Sequence, residues 1–158
     1  MAKEQSIPYN SEVYNDGICQ FRSNLTAILS KYTEHGIPVI TSTVVSNEKD
    51  VIPFISDTIP NLVQFIEDVN SEKPEAKKIA LDNAYAAYHL GSYYYRENPD
   101  TSKKYLHLAK ELDLLRFRAP QKINDIIVEL SHEFNVSIVD MKSVFEAHSQ
   151  NGIVGNNL

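Results

Sequence analysis

The sequence predicts an α/β protein: a parallel unit with few strands, interrupted by a predominantly helical insertion. Three observations carry this. Gly36 to Thr43 (GIPVITST) is a short, β-branched run that follows an amphipathic helical pattern. Val136 to Met141 (VSIVDM) is a second such run behind a second amphipathic pattern, and helix followed by strand is half of a βαβ crossover. Between them, from roughly Thr58 to Leu115, only helix signals occur. Residues 1–57 and 116–158 are therefore assigned to the α/β unit, and residues 58–115 to the helical insertion.

The elements follow in order. Ser11 is placed to cap a helix running to about Glu34. Val13, Ile18, Phe21, Leu25, Ile28, Leu29 and Tyr32 recur mostly three and four residues apart, which makes one apolar stripe. Gly36 suits the left-handed position that closes such a helix. Pro38 in the following strand marks a first pairing position or an edge. Val44 to Pro60 is a loop broken by Pro53 and Pro60. Asn61 to about Val69 is a short amphipathic helix, and Glu75 to Glu97 a longer one rich in Ala and Tyr. Asn98-Pro99-Asp100 is a turn, after which Thr101 or Ser102 caps a helix to about Leu115. Pro120 suits the first position of the next helix. Its stripe is Ile123, Ile126, Ile127, Leu130 and Phe134, and it leads to the second strand. Lys142 to about His148 is a last short helix. Two strands are few for a parallel sheet, which needs cover on both faces, and an exposed strand edge invites self-association.

Composition limits the function. The formal charge is −6, which disfavours nucleic acid, since that binding rests on Lys and Arg neutralising phosphates. No apolar run approaches the roughly 18 residues of a membrane span. The opening residues MAKEQSIPYNSEVY hold no apolar signal core, and the compartment stays open. The lone Cys19 excludes an internal disulfide and is expected to be a buried structural thiol. His35, His89, His107, His132 and His148 show no metal-ligand spacing, and no phosphate loop, dinucleotide turn or nucleophile elbow occurs, so no cofactor is expected.

Four residues are candidates for shaping a substrate site. Asn47 and Asp50 lie on the loop leaving the first strand, and loops at the carboxyl ends of parallel strands build α/β sites. Asn47 either hydrogen-bonds a substrate or shapes the turn. Arg116 and Arg118 flank Phe117, where they either grip a carboxylate or serve a helix end and the nearby acids Glu111 and Asp113.

Ala84 to Tyr95, with Leu90-Gly91 and Tyr94, resembles a single tetratricopeptide repeat, and such arrays need about three repeats to stand alone. The segment is read either as an Ala/Tyr-packed hairpin docked on the α/β unit, which is preferred, or as a partner-binding face with Tyr94 and Tyr95 as candidates.

The order of the segments resembles a branch of the SGNH (GDSL-type) hydrolases. The matching residues are Ile37-Pro38-Val39-Ile40, Ser46-Asn47 with Asp50, Pro53-Phe54, Ala109-Lys110 with Asp113, Arg116-Phe117-Arg118-Ala119-Pro120, Ile123-Asn124, Ile138-Val139-Asp140, and His148-Ser149 with Asn151-Gly152-Ile153 and Gly155. The resemblance implies a partial flavodoxin-like three-layer unit of an esterase or lipase acting on an ester-type small molecule. The family's Gly-Asp-Ser nucleophile, oxyanion-hole Gly and Asn, and Asp-x-x-His are not found here, so no catalytic residue is transferred and this chain is expected to be inactive by itself. Gly155-Asn156-Asn157 is similar to the oxyanion motif but is set aside, because a terminal tail is not rigid enough to aim a donor.

Overall fold

The structure is a computed structural model and describes residues 6–156. Among them are seven α-helices: α1 (Glu12–Glu34), α2 (Leu62–Asn70), α3 (Pro74–Ala80), α4 (Ala84–Tyr94), α5 (Pro99–Leu112), α6 (Gln121–Glu133) and α7 (Met141–His148). Two strands, β1 (Ile40–Ser42) and β2 (Ser137–Val139), pair in parallel, with Ile40 opposite Ser137, Thr41 opposite Ile138 and Ser42 opposite Val139. The chain is thus mostly helical with one short parallel pair.

Local chemistry accounts for the helix ends. The Ser11 hydroxyl accepts from Tyr14 N at 3.2 Å and starts α1. Gly36 takes φ +66°, and the amides of Gly36 and Ile37 donate back to the carbonyls of Thr33 and Tyr32, which closes α1. The long helix expected from Glu75 to Glu97 is instead two, α3 and α4. Asn83 divides them: its carboxamide oxygen accepts from Ala86 N at 2.9 Å and caps α4, and its Nδ2 donates to the Asp57 carbonyl at 2.7 Å. A side chain that competes with the backbone ladder favours a new start over continuation. Likewise, Asn98 caps α5 through Thr101 N, with Pro99 as its first helical residue. The expected Thr101 or Ser102 cap therefore lies inside the helix. At α6, Pro120 occupies the cap and Gln121 is the first helical residue.

Two cores hold the chain. Along α2 to α5, Phe65, Val69, Ala76, Ala80, Ala86, Ala87, Leu90, Tyr94 and Ala109 form a continuous buried cluster. The α4–α5 contact depends on Gly91. A methyl group there would come within 2.6 Å of Leu106 Cγ, and Ser102 Oγ donates to the Gly91 carbonyl at 2.7 Å. The second core is smaller. Leu29, Ile126 and Leu130 are buried between α1 and α6, with Phe21, Leu25, Val39 and Val136 packed against them.

The α/β part is narrower than expected. Only Ile40–Ser42 of the run Gly36–Thr43 is strand, because β2 offers three residues to pair with. One face of the pair is uncovered, with Ile40 73% exposed and Val139 43%. The α1 stripe is buried on one side only: Leu29 is inside, whereas Val13, Ile28 and Tyr32 are exposed. Cys19, expected inside, is exposed on α1; the helix presents one stripe to α6, and residue 19 lies off it.

The segment after α7 is seated. Ile153, Val154 and Gly155 are buried, and the Val154 carbonyl accepts from both Glu48 N and Lys49 N at 3.0 and 3.1 Å. The tail is fixed as far as Asn156; Asn157 lies outside the described residues.

Candidate functional site at the carboxyl end of the strand pair

Parallel strands direct their carboxyl ends to one side, and there the chain leaves the sheet plane and opens a crevice. In this molecule Thr43 follows β1 and Asp140 follows β2. With Gln121, Asn124, Lys142 and Ser143 they line a cleft of about 340 Å³.

The cleft is polar and internally bonded. The Thr43 hydroxyl donates to Asp140 Oδ1 at 2.9 Å and accepts from Lys142 N at 2.9 Å. Ser143 Oγ donates to Asp140 Oδ2 at 2.5 Å, and the same carboxylate caps α7 through Ser143 N at 3.2 Å. The Ser143 hydroxyl and amide, then Thr43, hold the Asp140 carboxyl below the usual range. Asp140 is thus ionised at neutral pH and poorly suited to act as a base there. Asn124 uses both ends of its carboxamide on Val44, accepting from its amide at 2.7 Å and donating to its carbonyl at 2.9 Å. Lys142 Nζ pairs with Glu146 at 2.8 Å. Gln121 Oε1 is buried and accepts no hydrogen bond among the described residues. The cleft offers hydrogen bonds and shape, not an activated nucleophile.

The loop after β1 is anchored by buried charge. Lys110 Nζ lies 3.0 Å from Glu48 and 3.2 Å from Glu111, and all three residues are buried. His107 Nδ1 lies 3.2 Å from Glu48. Burial pushes the Glu48 carboxyl up, but the His107 hydrogen bond and the Lys110 ammonium outweigh it and hold the group at about 2. Asp113 accepts from Phe54 N and Ile55 N at 2.9 and 3.1 Å.

The sequence-derived candidates fall around this anchor and not in the cleft. Asn47 Oδ1 accepts from Asp50 N at 2.8 Å, which makes the loop turn, and Asn47 Nδ2 donates to Asn156 Oδ1 at 2.7 Å. Asp50 Oδ2 accepts from Asn156 N at 2.6 Å. Arg118 is buried; it pairs with Asp113 at 3.2 Å and donates to the carbonyls of Asn47 and Val51. Arg116 donates to the carbonyls of Ile7 and Glu111 and lies over the Tyr9 and Tyr14 rings. In the hairpin, Tyr94 is 7% exposed and stacks on Tyr105. Tyr95 is half-buried, with Lys49 Nζ 5.0 Å above its ring.

Sequence reasoning did not single out Thr43, Gln121 or Asp140 as site residues. The available signal was a polar side chain near the carboxyl end of each β-branched run, at Thr43 and Asp140. Gln121 gave none, because its place in the wall depends on how α6 packs.

Comparison with protein-family models, with curated proteins and with solved structures finds no match to this chain.

Proposed function

We propose that this chain is the substrate-side part of an SGNH-type serine esterase, with β1 and β2 belonging to a flavodoxin-like three-layer unit. The observation that supports this reading is the parallel pair itself. Its carboxyl ends open on a polar cleft, while one face is uncovered and, among the described residues, no third strand joins either edge. In this reading Thr43, Asn124 and Gln121 shape the pocket for an ester-type small molecule, and the attacking serine and its histidine come from outside the chain. The loop residues Asn47, Asp50 and Arg118 hold the wall in place. No helix among the described residues is long and apolar enough to cross a membrane.

Fluorophosphonate labelling tests this. Residues 1–158 by themselves carry no labelled serine and hydrolyse no ester, while the intact protein containing them labels at one serine. An intact protein with no reactive serine overturns the reading.

One observation favours a second reading, a non-enzymatic interaction module built on the helical insertion. Leu62, Val63 and Ile66 of α2 are all exposed. In that case Val63→Asp abolishes partner binding, and the protein has no reactive serine. The open strand edges also favour self-association, which sedimentation across a concentration series reads directly.

A further inference from the structure

Asn151-Gly152 is the one Asn-Gly step in the chain. It lies in the short 3-10 turn Gln150–Gly152 behind α7. Asn151 is exposed and takes a left-handed φ of +59°, and Gly152 follows at +65°. Two hydrogen bonds hold the turn. Asn151 Nδ2 donates to the Tyr95 carbonyl at 2.8 Å, and Gly152 N donates to the Ser149 carbonyl at 3.0 Å. Tyr95 is the C-cap of α4, so the first bond tethers the turn to a helix end whose carbonyls have no partner within the helix.

The seated segment begins right behind this tether. Ile153, Val154 and Gly155 are buried, the Val154 carbonyl accepts from Glu48 N and Lys49 N, and Asn156 bonds both Asn47 and Asp50. Whatever happens at residue 151 is therefore passed to the loop after β1.

An asparagine carboxamide carbon can close a five-membered ring with the amide nitrogen of the next residue. A side chain on that residue shields the nitrogen, and glycine has none. At Gly152 even an added Cβ would meet nothing nearer than Lys103 Nζ at 3.7 Å and Glu146 O at 3.9 Å, so the turn has room to rearrange. In the seated turn the reaction is blocked, because the attacking nitrogen is bonded to Ser149 and the leaving nitrogen to Tyr95. Both bonds must open first.

We propose that Asn151 is a self-modification site gated by the seating of residues 153–156: it deamidates when this segment lifts, and its products hold the segment off. Gly152 N, having given its proton to hydroxide, attacks Asn151 Cγ. The new N–C bond forms, the Cγ–Nδ2 bond breaks, and ammonia leaves. Water then opens the succinimide at either carbonyl, to aspartate or isoaspartate. The net change is carboxamide plus water to carboxylate plus ammonium. Either product loses the tether, since a carboxylate only accepts and so does the Tyr95 carbonyl it would face. Isoaspartate also adds a methylene to the main chain, which moves Val154 out of register with Glu48 and Lys49. The nearby cation, Lys103, is paired with Glu146 at 2.7 Å, and a carboxylate drawn to it leaves Tyr95. The site stands apart from the esterase reading, and its test needs no turnover.

The full chain, incubated at mildly alkaline pH with and without guanidinium chloride, decides the matter. Peptide mapping reads the exchange of NH2 for OH at every asparagine, and hydrogen exchange at the Glu48 and Lys49 amides reads the seating. In the folded chain Asn151 should convert ahead of the other asparagines, about ten- to a hundredfold more slowly than in denaturant, as for the opening of a chain end. Gly155→Ala, which puts a Cβ 2.6 Å from Asp50 Oδ2, loosens the seat without touching the turn and should speed the conversion. Asn151→Asp installs one product directly. It should quicken exchange at the Glu48 and Lys49 amides at least fivefold and leave α4 and α5 as protected as in the parent. Equal rates in the folded and denatured chain, or conversion elsewhere before Asn151, overturn the proposal. So does an Asn151→Asp protein whose Glu48 and Lys49 amides exchange as in the parent.

Discussion

Replacing Gly91 with alanine tests whether α4 and α5 are held together by close backbone approach. The added Cβ would lie 2.6 Å from Leu106 Cγ and 2.9 Å from both Leu106 Cδ2 and Leu106 N. Leu106 is 1% exposed, so its side chain has nowhere to go. Its amide belongs to the α5 backbone, so α5 itself must shift. Overpacking by one carbon costs about 1–3 kcal/mol, and involvement of backbone puts this case near 3. Alanine returns about 1 kcal/mol of helix propensity over glycine. The net loss is about 2 kcal/mol, or a melting point lower by about 4–8 °C for a chain of this length. The shift also strains the hydrogen bond from Ser102 Oγ to the Gly91 carbonyl. Gly17→Ala is the control: the same exchange in α1 meets nothing within 4 Å and should gain up to about 1 kcal/mol. Urea unfolding followed by helical circular dichroism gives both numbers. If Gly91→Ala is as stable as the parent, or if the two exchanges move stability in the same direction, the close-approach argument fails.

Other perturbations address the anchor and the caps. Glu48→Gln leaves Lys110 with Glu111 as its only close carboxylate among the described residues and should cost about 2–3 kcal/mol, below the 3–5 of a fully broken buried pair. The Glu48 carboxyl is depressed to about 2 in the folded state. Its contribution, on the order of 3 kcal/mol, is therefore present above pH ~5 and lost as pH falls toward 2. Urea midpoints measured from pH 7 to 2 should fall in the parent and fall less steeply in Glu48→Gln. Asn83→Ala removes the α4 cap and the bond to the Asp57 carbonyl, for a loss of about 2 kcal/mol in thermal unfolding. Gly155→Ala puts a Cβ 2.6 Å from Asp50 Oδ2. Hydrogen exchange at the Glu48 and Lys49 amides, which donate to Val154, should then quicken while α4 and α5 stay protected.

Local rules made several elements legible before any coordinates. Ser11 and Gly36 bound α1 because a cap hydroxyl and a left-handed residue act within a few residues of themselves. The stripe Ile126, Ile127, Leu130 found its core for the same reason, since helical period is a property of the chain. The break at Asn83 was hidden. Ala80 and Leu81 before it and Ala84 after it favour helix, and what tips the balance is a carboxamide that also reaches Asp57, 26 residues away. The exposure of Cys19 and Val13 was hidden too. A stripe says which residues can be buried, not how much of it a partner covers.

What the sequence by itself determined is where helix prevails, apart from the break at Asn83, together with the two β-branched runs, the acidic balance and the lack of a nucleophile motif. Each depends on residue type and short spacing. Only the tertiary structure decided which polar groups meet. It tied Asn47 and Asp50 to Asn156, drew Glu48 to Lys110 over 62 positions of sequence, and brought Thr43 to Asp140. Such pairings are set by how α1, α5 and α6 pack, and the energy that selects them comes from burial across the whole chain, which no local pattern encodes.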